Sequence, residues 1–134
     1  MTAEKIARTV RLGQKPEGIA EVVKYTGLDG APCMIPVTFK YRTLTEFGQL
    51  LDEVFALPLP ADVQGQDGKL SSQAIHQGRV QLNGQYLYLI LKDWALDVPL
   101  TLQTCLQLAD EDPAGTSALM TAYRKLITEG RTGN

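Results

Sequence analysis

The chain has 134 residues, 44% of them apolar, and 13 basic against 15 acidic side chains give a formal net charge of −2 at pH 7. A chain of this size buries roughly two thirds of its unfolded surface, enough for a core without disulfides or metals, and its composition excludes a wholly disordered segment. The charge balance also argues against nucleic acid, since phosphate binding needs a basic surface and no Lys/Arg cluster supplies one.

Met1 to Lys5 shows no apolar stretch after a basic start, so no secretory leader is expected. The longest strongly apolar run, Tyr86 to Leu91, is far short of the roughly 20 residues that span a bilayer. Cys33 and Cys105 lie far apart with no CxxC spacing, which predicts two reduced, buried thiols in a cytoplasmic protein with no membrane attachment.

Ile19 to Tyr25 reads as a strand, with β-branched Val22 and Val23. Gly27-Leu28-Asp29-Gly30 supplies a turn, because Asp-Gly tolerates the positive φ of a tight reversal. Ile35, Val37, Phe39 and Tyr41 then alternate with Thr38, Lys40 and Arg42, the period of a half-buried antiparallel strand. The two runs predict a hairpin, with Pro32 and Pro36 at a strand start or sheet edge, where a missing N–H does no harm.

The period changes at Thr43-Leu44-Thr45-Glu46, which fits a capping box. Leu44, Phe47, Leu51, Val54 and Phe55 follow at helical spacing, Pro58 and Pro60 end that helix, and 58–68 reads as a surface loop. The next segment supports two readings. Asn83-Gly84 is a hairpin-turn dipeptide, yet Ile75, Arg79, Leu82, Tyr86, Leu89 and Ile90 share one helical face, with Ser71 or Ser72 as cap. Further on, Asp97 to Pro99 is a turn, and Thr101 caps a short helix carrying Leu102, Cys105, Leu106 and Ala109. Asp112 as N-cap and Pro113 at the first helical position start a last helix, whose stripe is Leu119, Tyr123, Leu126 and Ile127. Gly130 closes it ahead of a polar tail. The fold class expected is α+β: one domain over 1–134, β-rich through 43 with an antiparallel hairpin or small sheet, helical over 44–130 with about four helices, and a tail at 131–134.

Chemistry-bearing patterns are sparse. His76 is the only histidine, so neither a histidine-assisted nucleophile nor a zinc site has its partners. Asp52 and Glu53, or Asp110, Glu111 and Asp112, are the residues a metal-dependent hydrolase would have to use; neighbours in sequence do not converge on one point of a helix surface. No phosphate-cradling glycine loop or nucleophile elbow occurs. No catalytic, cofactor-binding or metal site is expected. Trp94 suits either an interface anchor or a core position, the core being the simpler account, and Arg42 and Arg124 can pair with a partner's carboxylates or simply be solvated.

Three segments, in order, carry a resemblance. Phe39-Lys40-Tyr41-Arg42-Thr43-Leu44-Thr45-Glu46-Phe47 is similar to the strand-to-helix segment of phage tail assembly chaperones from long-tailed phages and prophages. Leu91-Lys92-Asp93-Trp94-Ala95-Leu96-Asp97 resembles their Trp-containing segment, with Ala95 standing where an acidic residue is usual. Ala122-Tyr123-Arg124-Lys125-Leu126, with Arg131-Thr132-Gly133-Asn134, resembles their last helix and terminus. The resemblance spans roughly 33–134 and favours one helix over 70–93. It implies a non-enzymatic protein that binds the tape-measure protein, and also tail tube subunits, during assembly and is missing from the mature virion. A longer frameshifted product is common in such families, and self-association is compatible with the role. The partner-binding candidates are Arg42, Trp94, Arg124 and Arg131. A structural tail-completion or connector protein, retained in the particle, is the alternative.

Overall fold

The structure, a computed structural model, describes residues 7–55 and 71–130. The expected helix stop at Pro58 and Pro60, the 58–68 loop and the 131–134 tail, with Arg131, lie outside the described residues. The order is β1 (Ile19–Thr26), β2 (Pro32–Phe39), α1 (Leu44–Phe55), α2 (Ser72–Ile90), β3 (Leu91–Trp94), α3 (Leu102–Glu111) and α4 (Pro113–Glu129). The α+β architecture expected from the sequence is present, with four helices following the hairpin.

β1 and β2 pair antiparallel from Ile19↔Phe39 to Thr26↔Pro32. Their connection is closed by Gly27 N–H donating to Ala31 O at 2.9 Å and by the Asp29 carboxylate accepting from Ala31 N–H at 3.0 Å. Gly30, at φ 81°, takes the left-handed conformation that the Asp-Gly pair anticipates. Ile35, Val37 and Phe39 point into the core as the alternation requires, whereas Tyr41 lies past the strand and is only half-buried.

The sheet has a third strand that the sequence reading did not separate from the helix before it. The order is β1-β2-β3, with β2 central. The helix expected over 70–93 is a helix only to Ile90; Leu91 turns extended at φ −95° and ψ 131°, and Leu91 to Trp94 pair with β2. A register shift between Thr38 and Phe39 explains why this strand was not legible. It leaves Lys92 and Asp93 exposed while Leu91 and Trp94, three apart, both face inward. An inward spacing of three reads as helix, although a bulge produces it here. Pro36 accordingly sits on the central strand rather than at an edge. β3 pairs only with Val37 to Phe39, and Pro36 accepts Ala95 N–H at 3.0 Å just past that ladder, so its missing N–H falls where β3 has ended.

The helices cover one face of the sheet. α4 packs across β1, α3 lies along α2, and α1 rests against α2 and α4. Both predicted caps of α1 form: Glu46 N–H donates to Thr43 Oγ1 at 3.1 Å and Thr43 N–H to Glu46 Oε1 at 2.9 Å. Those bonds hold the Glu46 carboxyl below its ordinary pKa. The buried stripe of α1 is Phe47, Leu50 and Val54, rotated from the expected one, so that Leu44 and Phe55 face solvent. Ser71, Thr101 and Asp112 cap α2, α3 and α4 as anticipated, and Gly130 ends α4 at φ 75°. On α4, Leu119 and Tyr123 are fully buried, while Leu126 and Ile127 pack partly against the core. Cys105 is buried as expected; Cys33 is not, being only half-covered beside the hairpin turn.

Asn83-Gly84 lies inside α2 because of packing, not turn chemistry. Gly84 has no positive φ, and a Cβ placed there would stand 2.9 Å from Leu106 Cα, backbone of α3 that cannot swing aside. Glycine here sets the approach of the two helices. Gly84→Ala is expected to lower stability by about 1–2 kcal/mol, because overpacking outweighs the gain in helix propensity of about 1 kcal/mol. Gly48→Ala on α1, where nothing lies within 4 Å of the added carbon, is expected to raise it by about 0.5–1 kcal/mol. Urea unfolding of both variants distinguishes the two environments.

Candidate functional site

Tyr123 organises the junction of strand, helix and sheet. Its ring is fully buried, 5.2 Å from the Phe39 centroid and 5.8 Å from that of Phe47, the latter edge-on. Its hydroxyl donates to Lys40 O at 2.9 Å and accepts from Arg42 Nη1 at 3.1 Å. Arg42 is therefore engaged inside the chain. Trp94 is also held internally: it is 8% exposed, and its indole N–H donates to Val98 O at 2.7 Å. Arg124 is exposed on α4, one residue beyond Tyr123. The structure thus places two of the predicted partner contacts in the framework and one on the surface.

The surface around Arg124 forms a groove of about 310 Å³ between α1, α2 and α4. Phe47, Leu51, Tyr86 and Met120 supply apolar walls, with Phe55 and Arg124 on the margin. Phe55 is 75% exposed, so among the described residues a large aromatic stands beside the groove with little protein against it. Sequence reading assigned Phe55 to the inward stripe of α1; only the rotation of that helix toward Leu50 turns it outward. Met120 was not singled out, since one methionine between Leu119 and Tyr123 carries no signal of its own. The chemistry of the groove is that of an apolar side-chain acceptor with a cation at its margin.

The carboxylates considered for metal chemistry do not assemble. Asp52 and Glu53 are exposed on α1, Asp110 and Glu111 on α3, and no group of three or more His, Cys, Asp or Glu able to hold a metal occurs among the described residues. His76 is an exposed helix residue whose Nδ1 lies 2.7 Å from Ser72 O. Asp112 has a different task. It accepts from Gly115 N–H at 3.0 Å as the cap of α4 and from the Tyr25 hydroxyl at 2.5 Å, tying β1 to the α3–α4 junction. No described helix is long and apolar enough to cross a membrane.

The capped α+β framework leaves an aromatic-lined groove open between α1, α2 and α4. A family model described as phage tail assembly chaperone matches residues 6–134, nearly the whole chain, and the protein belongs to that family. No curated protein and no solved structure matches it.

Two expectations follow from the buried groups. Tyr123→Phe strands the Lys40 carbonyl and the Arg42 guanidinium and is expected to cost about 1–3 kcal/mol, against about 3–5 kcal/mol for Tyr123→Ala, which also opens a cavity. Equilibrium unfolding reads the difference; an unchanged midpoint in Tyr123→Ala would remove the core assignment. Burial pushes the Cys105 thiol from 9.0 up to about 11 and the Tyr86 phenol from 10.0 up to about 12. The folded protein holds these protons longer than the unfolded chain, so their stabilising contribution is complete below pH 9 and lost as pH rises toward 12. Urea midpoints measured across that range should fall, and Cys105→Ala should flatten the earlier part of the decline.

Proposed function

We propose that this protein is a non-enzymatic tail assembly chaperone that binds the tape-measure protein in the host cytoplasm, with tail tube subunits as a second client, and leaves before the virion is complete. The observation that carries this reading is the family match over nearly the whole chain. The groove between α1, α2 and α4 supports it as the client site. An amphipathic helix can insert apolar side chains at i, i+3 and i+4 between Phe47, Leu51 and Met120, while an acidic residue on its flank meets Arg124. Phe55 supplies the aromatic anchor at the margin. Arg42 and Trp94 act on client binding indirectly, by holding the strand-to-helix corner and the β3 end in place; Arg131 is proposed as a further contact.

Reversible covering of apolar surface needs no chemical step. It needs an apolar acceptor that water can reoccupy when the client leaves, and a groove with an exposed aromatic edge is such an acceptor. A chaperone of this kind gains selectivity from the spacing of client side chains rather than from a deep pocket.

The test is affinity capture with this protein from cells expressing the tail gene cluster, followed by composition analysis of purified tails. Recovery of the tape-measure protein, with the bait missing from mature particles, is the expected outcome. Phe55→Gln and Arg124→Glu, both at exposed positions, should each reduce that recovery about tenfold or more, equivalent to at least ~1.4 kcal/mol, with unchanged melting temperature. Retention of the bait in finished tails would instead establish a structural tail component.

A further inference from the structure

Tyr86 carries a hydroxyl that the fold does not use. The side chain is 5% exposed and lines the groove of about 310 Å³ between α1, α2 and α4. Its oxygen makes no hydrogen bond to another described residue, yet among the described residues no fully buried side-chain oxygen or nitrogen lacks a partner. The oxygen is therefore the part of Tyr86 that still meets solvent, and the groove is where it does so. Tyr123 is the contrast, its hydroxyl being engaged twice inside the chain. Phenylalanine would serve the packing of the Tyr86 ring equally well, so packing does not account for the oxygen.

The same flank of the groove gathers other donors. Asn83 and Tyr86 lie three apart on α2, and Thr121 and Arg124 three apart on α4, so each pair shares one helix face. Among the described residues that line the groove, Arg124 is the one charged side chain, and no Asp or Glu stands beside it. Arg124 is exposed, and no described carboxylate pairs with it. Phe47 and Leu51 of α1, with Met120, form the apolar flank.

Burial, and after it the neighbouring Tyr123 phenol, pushes the Tyr86 phenol from 10.0 up to about 12, against the Arg42 and Arg124 guanidiniums, which favour the ionised form. At neutral pH Tyr86 is thus a protonated donor in the field of two cations. Glu46, which also senses Arg42, is committed to the α1 cap. An acceptor with a single negative charge is what complements this set. A carboxylate offers two acceptor oxygens and can take both donors at once. A phosphate dianion would call for more than the one cation that lines the groove.

From the unpartnered hydroxyl, the unpaired guanidinium and the acid-free lining, we infer that the groove reads one carboxylate, an Asp or Glu side chain of the client, with Tyr86 Oη and Arg124 as its donors. This rests on the groove being the client site. It takes the acid into the groove, onto Tyr86, and adds a charge requirement to the spacing of the client's apolar side chains. A client helix that seats aliphatic residues against Phe47, Leu51 and Met120 carries the acid one turn away, on the side facing α2 and α4. Tyr86 is then a specificity-determining residue, since its hydroxyl distinguishes an acid from the amide of the same shape.

The test needs no client. 3-Phenylpropanoate, an apolar ring on a carboxylate, and its uncharged amide 3-phenylpropanamide are each titrated into the full-length chain at pH 7, and backbone amide shifts are followed. Residues 83–86 and 117–124 should shift saturably with the acid, and the amide should bind about fivefold or more weakly. Tyr86→Phe and Arg124→Gln should each bring the acid's affinity down to that of the amide and leave the amide's unchanged. The melting temperature of Tyr86→Phe should not fall, because no internal partner is stranded. Acid and amide binding alike, a Tyr86→Phe variant that binds the acid as the wild type does, or no saturable shift at the groove with the acid would each overturn the inference. Each of those results leaves the proposed client binding standing, since capture of the tape-measure protein is measured separately. An acid preference lost in Tyr86→Phe, with no tape-measure protein captured, would keep the carboxylate site and remove that client.

Discussion

The rest of the structure depends on one buried hydroxyl. Tyr123 lies in the last helix, yet its hydroxyl bridges Lys40 O and Arg42 Nη1 at the corner where the sheet gives way to α1. Burying a tyrosine without partners for its oxygen costs free energy comparable to a lost hydrogen bond, so the corner and the helix must arrive together. The Phe39 and Phe47 rings, one before and one after that corner, pack on the same side chain. The segment Phe39 to Phe47 thus wraps one residue from the far end of the chain. This gives a physical reason for the residue types in the segment that carries the family resemblance: they hold the corner between sheet and helix together.

A second tie acts at the opposite end of β1. Asp112 uses one oxygen to cap α4 and the other to accept from Tyr25. The close approach is possible because position 115 is glycine; a Cβ there would stand 2.9 Å from Asp112 Oδ2 and 3.0 Å from the Tyr25 ring carbon and hydroxyl. Burial and the adjacent carboxylate together push the Tyr25 phenol well above its ordinary value, so it remains the donor. The two tyrosines fix α4 relative to the sheet at separate points.

Most of the fold was legible because local signals and tertiary packing agree. The capping box at Thr43, the Asp112-Pro113 start and the period-two run of β2 each describe one residue's immediate neighbours, and those interactions form as read. The failures occur where a distant residue decides. Asn83-Gly84 supports hairpin and helix alike until Leu106 is known to press against it. Leu91 and Trp94 read as helix until the bulge opposite Thr38 is seen. Phe55 reads as core because the stripe of α1 can be drawn in two nearly equivalent ways, and only contact with α2 and α4 selects Leu50 over Leu51. For the site, Arg124 was legible as an exposed cation, and the groove beside it was not, since its walls come from three helices far apart in sequence.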